Sequence, residues 1–263
     1  MTDQEKAGKT ARPDRESLRA MVRTRVWAEL RRVGRPDSRF HWDFSSFIPD
    51  YEGSDRSAER VRQLDVWEKA QSIFITPDNN LEAVRRSALE DSKPFVMSTY
   101  GIERGFLTID AGRVRLEDCG WAATLDGMER FGRPITLGEL KQRRSFDLLI
   151  TGASAISMDG IRFGKGHGYF DLEWGMFCEA GVVSPEAKVV AVGHDCQVLD
   201  VRLPASPLDT RVDVIVTPTR TIEMRAGMGH QMGHIAWEEL DPGLEQRIPP
   251  LAEMRRISTT PPR

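Results

Sequence analysis

Short runs of consecutive apolar residues alternate with helical segments along this chain, and this alternation constrains the fold more than any other feature. The runs predicted to be strands are residues 72–76 (SIFIT), 94–99 (PFVMST), 106–109, 148–152 (LLITG), 188–193 (KVVAVG) and 212–217 (VDVIVT). A strand without polar positions has both of its faces covered, as in parallel sheets whose strands are joined by helices. The sequence therefore predicts an α/β fold with three α/β/α layers around a mostly parallel sheet.

The helices between these runs are indicated by apolar residues at helical spacing. The first helix is predicted to begin near Asp14, which can cap it, and an apolar stripe recurs every fourth residue at Leu18, Val22, Val26 and Leu30. Further helices are predicted over residues 57–71, 81–89, 136–144 and 170–180. Thr136 precedes Glu139 at the spacing of a capping box, which supports the helix that begins there.

The two ends of the chain lack the alternation. Residues 1–13 are charged and without periodicity, so we expect them to be disordered. Residues 14–225 are predicted to form one α/β domain, and residues 226–263 a C-terminal extension. His230 and His234 lie four residues apart, but the glycines around them in GMGHQMGH disfavour a metal-binding helix, so a solvent-facing or docking tail is expected.

Composition excludes several classes of protein. The formal net charge is -3, which offers no general attraction for nucleic acid, and no run of about 18 apolar residues is present to cross a membrane. Cys119, Cys178 and Cys196 are scattered, which argues against a disulfide framework and fits a reducing compartment. We therefore expect a cytoplasmic protein without nucleic-acid or membrane partners. The oligomeric state stays open, with a homo-oligomer among the alternatives.

The motif RFGKGHGYFD, residues 162–171, is the strongest candidate for a functional site. It lies between a predicted strand and a predicted helix, where the free N–H groups of a helix N-terminus favour phosphate. Gly164, Gly166 and Gly168 allow a ligand to approach the backbone closely. Taken alone, the pattern is equally compatible with a glycine-rich turn before a capped helix.

The charged residues of the motif favour the phosphate-binding hypothesis. Arg162 and Lys165 supply cations for phosphate oxygens, and His167 adds a third when it is protonated. Asp171 begins the following helix, where a carboxylate either stabilises the helix or holds a magnesium ion.

Three segments in order carry a resemblance to a known family. They are DGIRFGKGHGYFD, the stretch LPASPLDTRVDVIVT with Pro204, Asp209 and Asp213, and the basic helix RESLRAMVRTRVW with Arg15 and Arg19. Together they resemble the 5-formyltetrahydrofolate cyclo-ligases, also called methenyltetrahydrofolate synthetases. The segments IPDYEG, VWEKAQSIFITPDNN and AVGHDCQVLD are similar to the methenyltetrahydrofolate synthetase domain-containing branch, over about residues 15–223.

The resemblance implies a fold and an activity. The fold would be NagB/RpiA-like, and the enzyme would use ATP to phosphorylate the formyl oxygen of 5-formyltetrahydrofolate. N10 would then attack the activated carbon, and phosphate would leave with 5,10-methenyltetrahydrofolate. Such phosphoryl transfer needs positioning and neutralisation of charge more than it needs a protein nucleophile. ATP, magnesium and a reduced folate are therefore the implied ligands.

The resemblance also implies roles for individual residues. The catalytic group would be Arg162, Lys165 and Tyr169. The ATP-binding residues would be Arg15, Arg19, Gly164, Lys165, Gly166, His167, Gly168 and Tyr169. Asp171, with Asp209 as a second group, would hold magnesium. Arg23, one turn beyond Arg19, is interpreted as part of a solvated helix face.

Some positions depart from the family pattern. Phe170 replaces the second tyrosine of the motif, and His167 stands where a lysine is usual. The acids that hold the pterin after the first strand are missing, because that segment reads ITPDNN and Asp78 is its only carboxylate. Asp78 is therefore the candidate substrate residue.

These departures leave three hypotheses. The first is a cyclo-ligase acting on 5-formyltetrahydrofolate. The second is a related ATP-dependent enzyme with a different carbonyl or one-carbon substrate, for which the missing acids argue. The third is a non-catalytic nucleotide- or folate-binding regulatory protein, since animal relatives of the branch carry a separate RNA-binding domain. No aromatic RNA-binding octapeptide is found in this sequence.

Overall fold

A computed structural model describes residues 14–225 and 227–259 of the chain, and the predicted disordered segment, residues 1–13, lies outside this part. The helices are α1 (Arg15–Val33), α2 (Ser54–Arg62), α3 (Asp65–Lys69), α4 (Glu82–Glu90), α5 (Cys119–Ala122), α6 (Leu125–Phe131), α7 (Leu137–Lys141), α8 (Tyr169–Ala180), α9 (Leu244–Arg247) and α10 (Pro249–Thr259). The strands are β1 (Ile73–Ile75), β2 (Phe95–Ser98), β3 (Phe106–Ile109), β4 (Arg133–Ile135), β5 (Phe146–Gly152), β6 (Ala155–Ser157), β7 (Arg162–Phe163), β8 (Val183–Val192), β9 (Val198–Leu199), β10 (Val214–Val216) and β11 (Thr221–Glu223). Among the described residues, no helix is long and apolar enough to cross a bilayer.

Eight strands form the central sheet, in the order β11-β10-β8-β5-β1-β2-β3-β4. The five strands from β10 to β2 run parallel to one another, and β11, β3 and β4 are antiparallel additions at the two edges. The predicted class, a three-layer α/β fold around a mostly parallel sheet, is confirmed.

Consecutive residues of the central strands face different helical layers. On β1, Phe74 packs against Phe177 of α8, with ring centroids 4.9 Å apart. Its neighbour Ile75 belongs to the cluster on the other face, which includes Val84 of α4. Because both faces are covered, the strand sequences are continuously apolar and show no alternation of period two.

A second, smaller sheet in the order β7-β6-β9 supports the start of the motif. Helix α1 packs against it, with Val26, Ala155 and Phe163 in one apolar cluster. Phe163 ends β7, so the next five residues, 164–168, leave this sheet as a connection to α8. We call these five residues the glycine loop.

The segment beyond residue 225 packs against the same domain. Ile235, Ile248, Leu251 and Met254 are buried in the core cluster that contains α8. Of the two expected alternatives, a solvent-facing or a docking tail, these residues form a docking tail, because their apolar side chains complete the layer beside α7 and α8. The domain boundary at residue 225 stays a prediction.

The glycines of GMGHQMGH reflect close packing. A Cβ atom on Gly233 would lie 2.5 Å from Cδ1 of Trp174, so only glycine fits there. His230 is likewise not solvent-facing, since its Nδ1 lies 2.6 Å from Oδ2 of Asp213. Burial alone would raise the pKa of Asp213, but hydrogen bonds from His230 and from the amide of Val189 hold that pKa below its ordinary value. The histidine thus secures the segment to the sheet.

Candidate active site

The glycine loop lies at the carboxyl edge of the parallel strands. A cavity beside it, the first cavity, is lined by residues in and just after the carboxyl ends of β1, β2 and β5, by the loop itself and by the first turns of α8. The empty volume between its lining residues is about 520 Å³ and includes space open to solvent. This is the position at which open α/β sheets bind ligands.

Two of the three motif glycines have backbone angles that require glycine. Gly166 has φ 123° and Gly168 has φ 65°, both in the region that other residues avoid. A Cβ atom on Gly168 would meet no atom within 4 Å. Space is therefore left open at this point, where the loop turns into α8.

Lys165 extends from the glycine loop into the first cavity. Its Nζ donates a hydrogen bond to the carbonyl oxygen of Ser46 at 2.9 Å and lies 4.9 Å from the ring centroid of Tyr100. Burial lowers the pKa of Lys165, and the charges of Asp78 and Glu173 oppose that change. An anion in the cavity would therefore find a partly desolvated ammonium group.

Arg162 and the two aromatic residues of the motif flank the same cavity. Arg162 is 3% exposed, with Nη1 3.4 Å from Oδ1 of Asp171 and Cζ 4.9 Å from the ring centroid of Phe170. The guanidinium of Arg162 thus lies over the buried ring of Phe170. Tyr169 stacks on His167 at 5.4 Å, and burial raises the pKa of Tyr169.

Asp78 lines the first cavity from the loop after β1. Its Oδ2 accepts hydrogen bonds from Oγ1 of Thr76 at 2.5 Å and from the amide of Gly152 at 3.1 Å. The loop is fixed by Arg85, a fully buried residue whose Nη1 donates to the carbonyl oxygens of Thr76 and Asp78. Oδ2 of Asp78 is therefore hydrogen-bonded within the protein, which leaves Oδ1 for a ligand.

A second cavity lies on the other side of the glycine loop. Its lining includes Arg19, His167, Gly168, Asp171 and Asp209, and residues 234–236, 239–241 and 244 of the C-terminal segment form another part of its wall. His167 and Gly168, at the end of the loop that joins α8, line both cavities. The two cavities therefore adjoin there.

The two predicted magnesium ligands lie together in the second cavity. Oδ1 of Asp171 accepts from the amide of Thr210 at 2.9 Å, and Oδ2 of Asp209 accepts from the amide of Ser206 at 2.5 Å and from Arg19. The other oxygen of each carboxylate has no donor among the described residues. In that part of the chain no group of three or more histidine, cysteine or acidic side chains could hold a metal by itself. Magnesium, which usually takes one or two carboxylates with phosphate and water, fits this pair.

The basic helix α1 differs from the sequence interpretation. Arg15 is exposed and lines neither cavity, so the structure gives its predicted contact with ATP no support. Arg23, interpreted as solvated, is only 7% exposed, and its guanidinium carbon would lie 3.7 Å from a Cβ atom on Gly166. That interpretation was wrong because the glycine loop covers α1 one turn beyond Arg19.

One further cavity residue, Glu173, was missed from the sequence. It is 2% exposed and lines the first cavity from α8. Burial raises its pKa to about 8, an effect that the Ser98 hydroxyl only partly counters. The available signal was an acid within an otherwise apolar stretch of the helix, LEWGMFC.

A mostly parallel sheet with a glycine-rich loop between two cavities at its carboxyl edge defines an α/β domain with a candidate ligand-binding site. The sequence model of the 5-formyltetrahydrofolate cyclo-ligase family matches residues 13–218, well over half of the chain. The chain belongs to this family.

Two relatives support the assignment by sequence similarity. Methenyltetrahydrofolate synthase domain-containing proteins of Homo sapiens and Danio rerio are 32% and 31% identical over 240 and 216 residues, which cover 89% and 80% of this chain. The matches cover 60% and 55% of those relatives, so the chain spans little more than half of their length. The solved structure of Aquifex aeolicus 5,10-methenyltetrahydrofolate synthetase is 17% identical, with a TM-score of 0.49 over 83% of this chain and 98% of that chain.

Proposed function

We propose that this protein uses ATP to convert 5-formyltetrahydrofolate to 5,10-methenyltetrahydrofolate. The observation that carries the proposal is the pair of cavities that adjoin at the end of the glycine loop, beside α8. A nucleotide in the second cavity and a reduced folate in the first would bring the γ-phosphate and the formyl oxygen together at His167 and Gly168. Family membership supplies the reaction that suits this arrangement.

The chain's own residues would then act by position and charge. The formyl oxygen attacks the γ-phosphorus, ADP leaves, N10 of the folate attacks the activated carbon, and inorganic phosphate departs. Lys165, on the side of the first cavity, would neutralise the charge that develops on the transferred phosphoryl group. Arg19 and the open backbone at Gly168 would hold the nucleotide phosphates.

Asp171 and Asp209 would hold magnesium through their unpartnered oxygens. Bound magnesium neutralises phosphate charge during such a transfer. We expect Asp171→Asn to raise the magnesium concentration for half-maximal ATP turnover by about 10- to 100-fold, the range typical of residues that support a metal site. The measurement is turnover against magnesium concentration, with the free energy of unfolding recorded in parallel. A variant that is less stable but has an unchanged magnesium requirement would exclude the assignment.

The glycines at the two ends of α8 give a matched test of nucleotide binding. Gly168 and Gly181 have φ of 65° and 69°, and a Cβ atom on either would meet nothing within 4 Å. Alanine at each should therefore destabilise the fold by a similar amount, about 1 kcal/mol. Only Gly168→Ala should also weaken binding of a non-hydrolysable ATP analogue, measured by calorimetry, because only there would the methyl group meet a phosphate. Equal affinity of the two variants would place the nucleotide elsewhere.

The direct test is to incubate the purified protein with Mg-ATP and 5-formyltetrahydrofolate and to follow the near-ultraviolet absorbance of the methenyl product.

A second candidate function is phosphoryl transfer from ATP to a different carbonyl or one-carbon acceptor. It is favoured by the segment after β1, where Asp78 is the only carboxylate and one of its oxygens serves the loop. ATP binding without methenyl product would support this second candidate.

A further inference from the structure

The wall of the second cavity has two parts of different origin. One part comes from residues 13–218, which the family model matches, and it includes Arg19, Gly168, Asp171 and Asp209. The other part consists of residues 234–236, 239–241 and 244, which lie beyond the end of that match. Family membership therefore accounts for only part of this cavity, and the C-terminal segment of this chain supplies the rest.

The two parts also differ in their chemistry. Four of the six apolar residues in the lining belong to the C-terminal segment, and they are Ile235, Ala236, Leu240 and Leu244. The segment adds the carboxylates of Glu239 and Asp241, whereas Arg19 is the only lysine or arginine among the described residues that line the cavity. Phosphates are therefore attracted towards Arg19 and repelled by the segment. A nucleotide has the same division, because its phosphates are charged and the faces of its base are apolar.

Close contacts hold the segment against α8. The amide of Ile235 donates a hydrogen bond to Oε1 of Glu179 at 2.7 Å. A Cβ atom on Gly175 would lie 2.7 Å from the carbonyl oxygen of His234, so glycine at this position lets the segment approach the helix. Leu240 and Leu244 pack against the core cluster that contains α8 and remain only partly buried. The apolar wall is thus anchored to the domain and still offers surface to the cavity.

We propose that the C-terminal segment binds the base of the nucleotide, with Leu240 and Leu244 as the apolar surface on which the ring packs. The inference rests on the proposed function and concerns its nucleotide half. A base that packs on leucine side chains removes apolar surface from water, which favours binding. The phosphates, which Arg19 and the open backbone at Gly168 would hold, gain nothing from these leucines.

The experiment compares a non-hydrolysable ATP analogue with inorganic triphosphate, which has phosphates but no base, by calorimetry on the full chain with magnesium. Leu240→Ser and Leu244→Ser should each weaken binding of the analogue by about tenfold, because the base loses apolar surface. Neither change should alter the affinity for triphosphate, which also shows that the variant is folded and keeps its phosphate site. Leu116→Ser, at a side chain that is 75% exposed and lines neither cavity, is the control and should change neither affinity.

A change at Gly175 tests the position of the segment without altering any residue that lines the cavity. Alanine favours a helix more than glycine does, so α8 itself should form in Gly175→Ala. Its methyl group would displace the segment at His234. We therefore expect weaker binding of the ATP analogue and an unchanged affinity for triphosphate.

Two results would overturn the inference. One is an unchanged affinity for the analogue in both leucine variants, and the other is an equal loss of analogue and triphosphate binding. Either result in a protein that forms the methenyl product would contradict this inference alone. A loss confined to the analogue, in a protein that forms no methenyl product, would support the inference and contradict the proposed conversion of 5-formyltetrahydrofolate.

Discussion

Replacing Lys165 by alanine is expected to lower the turnover of ATP and folate by about 100-fold or more. The loss should be of this size because Lys165 is the ammonium group that faces the first cavity, where the transferred phosphoryl group would arrive. Removing one donor aimed at developing charge costs about 10²–10³ in rate in a water-excluded site. Lys165 is also partly desolvated, since burial lowers its pKa, and water cannot readily replace it.

The effect on nucleotide affinity should be smaller than the effect on turnover. Lys165 does not line the second cavity, so an ATP analogue there would lose at most one charged contact, about 1.5 to 3 kcal/mol. Single-turnover rates and calorimetric affinities separate the two effects. Lys69→Ala, at a side chain that is 77% exposed, is the control and should change neither. Unchanged turnover in Lys165→Ala would remove this residue from the chemistry.

The strands of the central sheet could be predicted because their pattern is local. Each of β1, β2, β3, β5, β8 and β10 lies within or overlaps a predicted run, and the capping box of Thr136 and Glu139 is present in α7. Strands β4, β6, β7, β9 and β11 were not predicted, since each has only two or three residues and none lies within a longer apolar run. Residues 57–71 form two helices instead of one because the chain is extended at Leu64.

Some features of the candidate site could likewise be predicted from the sequence, and others could not. The glycine loop was visible because three glycines and two cations lie within ten residues, and two of these glycines, Gly166 and Gly168, have the positive φ that glycine permits. Arg23 and Glu173 could not be placed from the sequence, because their burial depends on the loop and on strands distant in the chain. The sequence left open whether residues 235–254 dock, since their partner surface on α7 and α8 is formed only in the fold.

Replacing Arg85 by methionine should reduce the free energy of unfolding by about 3 kcal/mol or more. Arg85 is fully buried and remains charged at neutral pH, although burial lowers its pKa to about 10. Its guanidinium donates to the carbonyl oxygens of Ala123 at 2.7 Å, Thr76 at 2.8 Å and Asp78 at 3.0 Å. Methionine fills much of the volume but donates nothing, so these buried acceptors lose a donor at about 1–3 kcal/mol each.

The neighbouring residue provides the control. Arg86 is 61% exposed and pairs with Glu90 at 2.7 Å on the solvent side of α4, so Arg86→Met should cost no more than about 1 kcal/mol. Urea denaturation of both variants measures the difference, and equal midpoints would refute the role given to Arg85.

Because Arg85 donates hydrogen bonds to the loop that carries Asp78, folded Arg85→Met protein should also bind the folate less tightly while its ATP affinity persists. Burying a cation costs desolvation free energy that an apolar residue would not cost. The presence of Arg85 beneath the first cavity therefore favours a role in holding the geometry of the loop that carries Asp78.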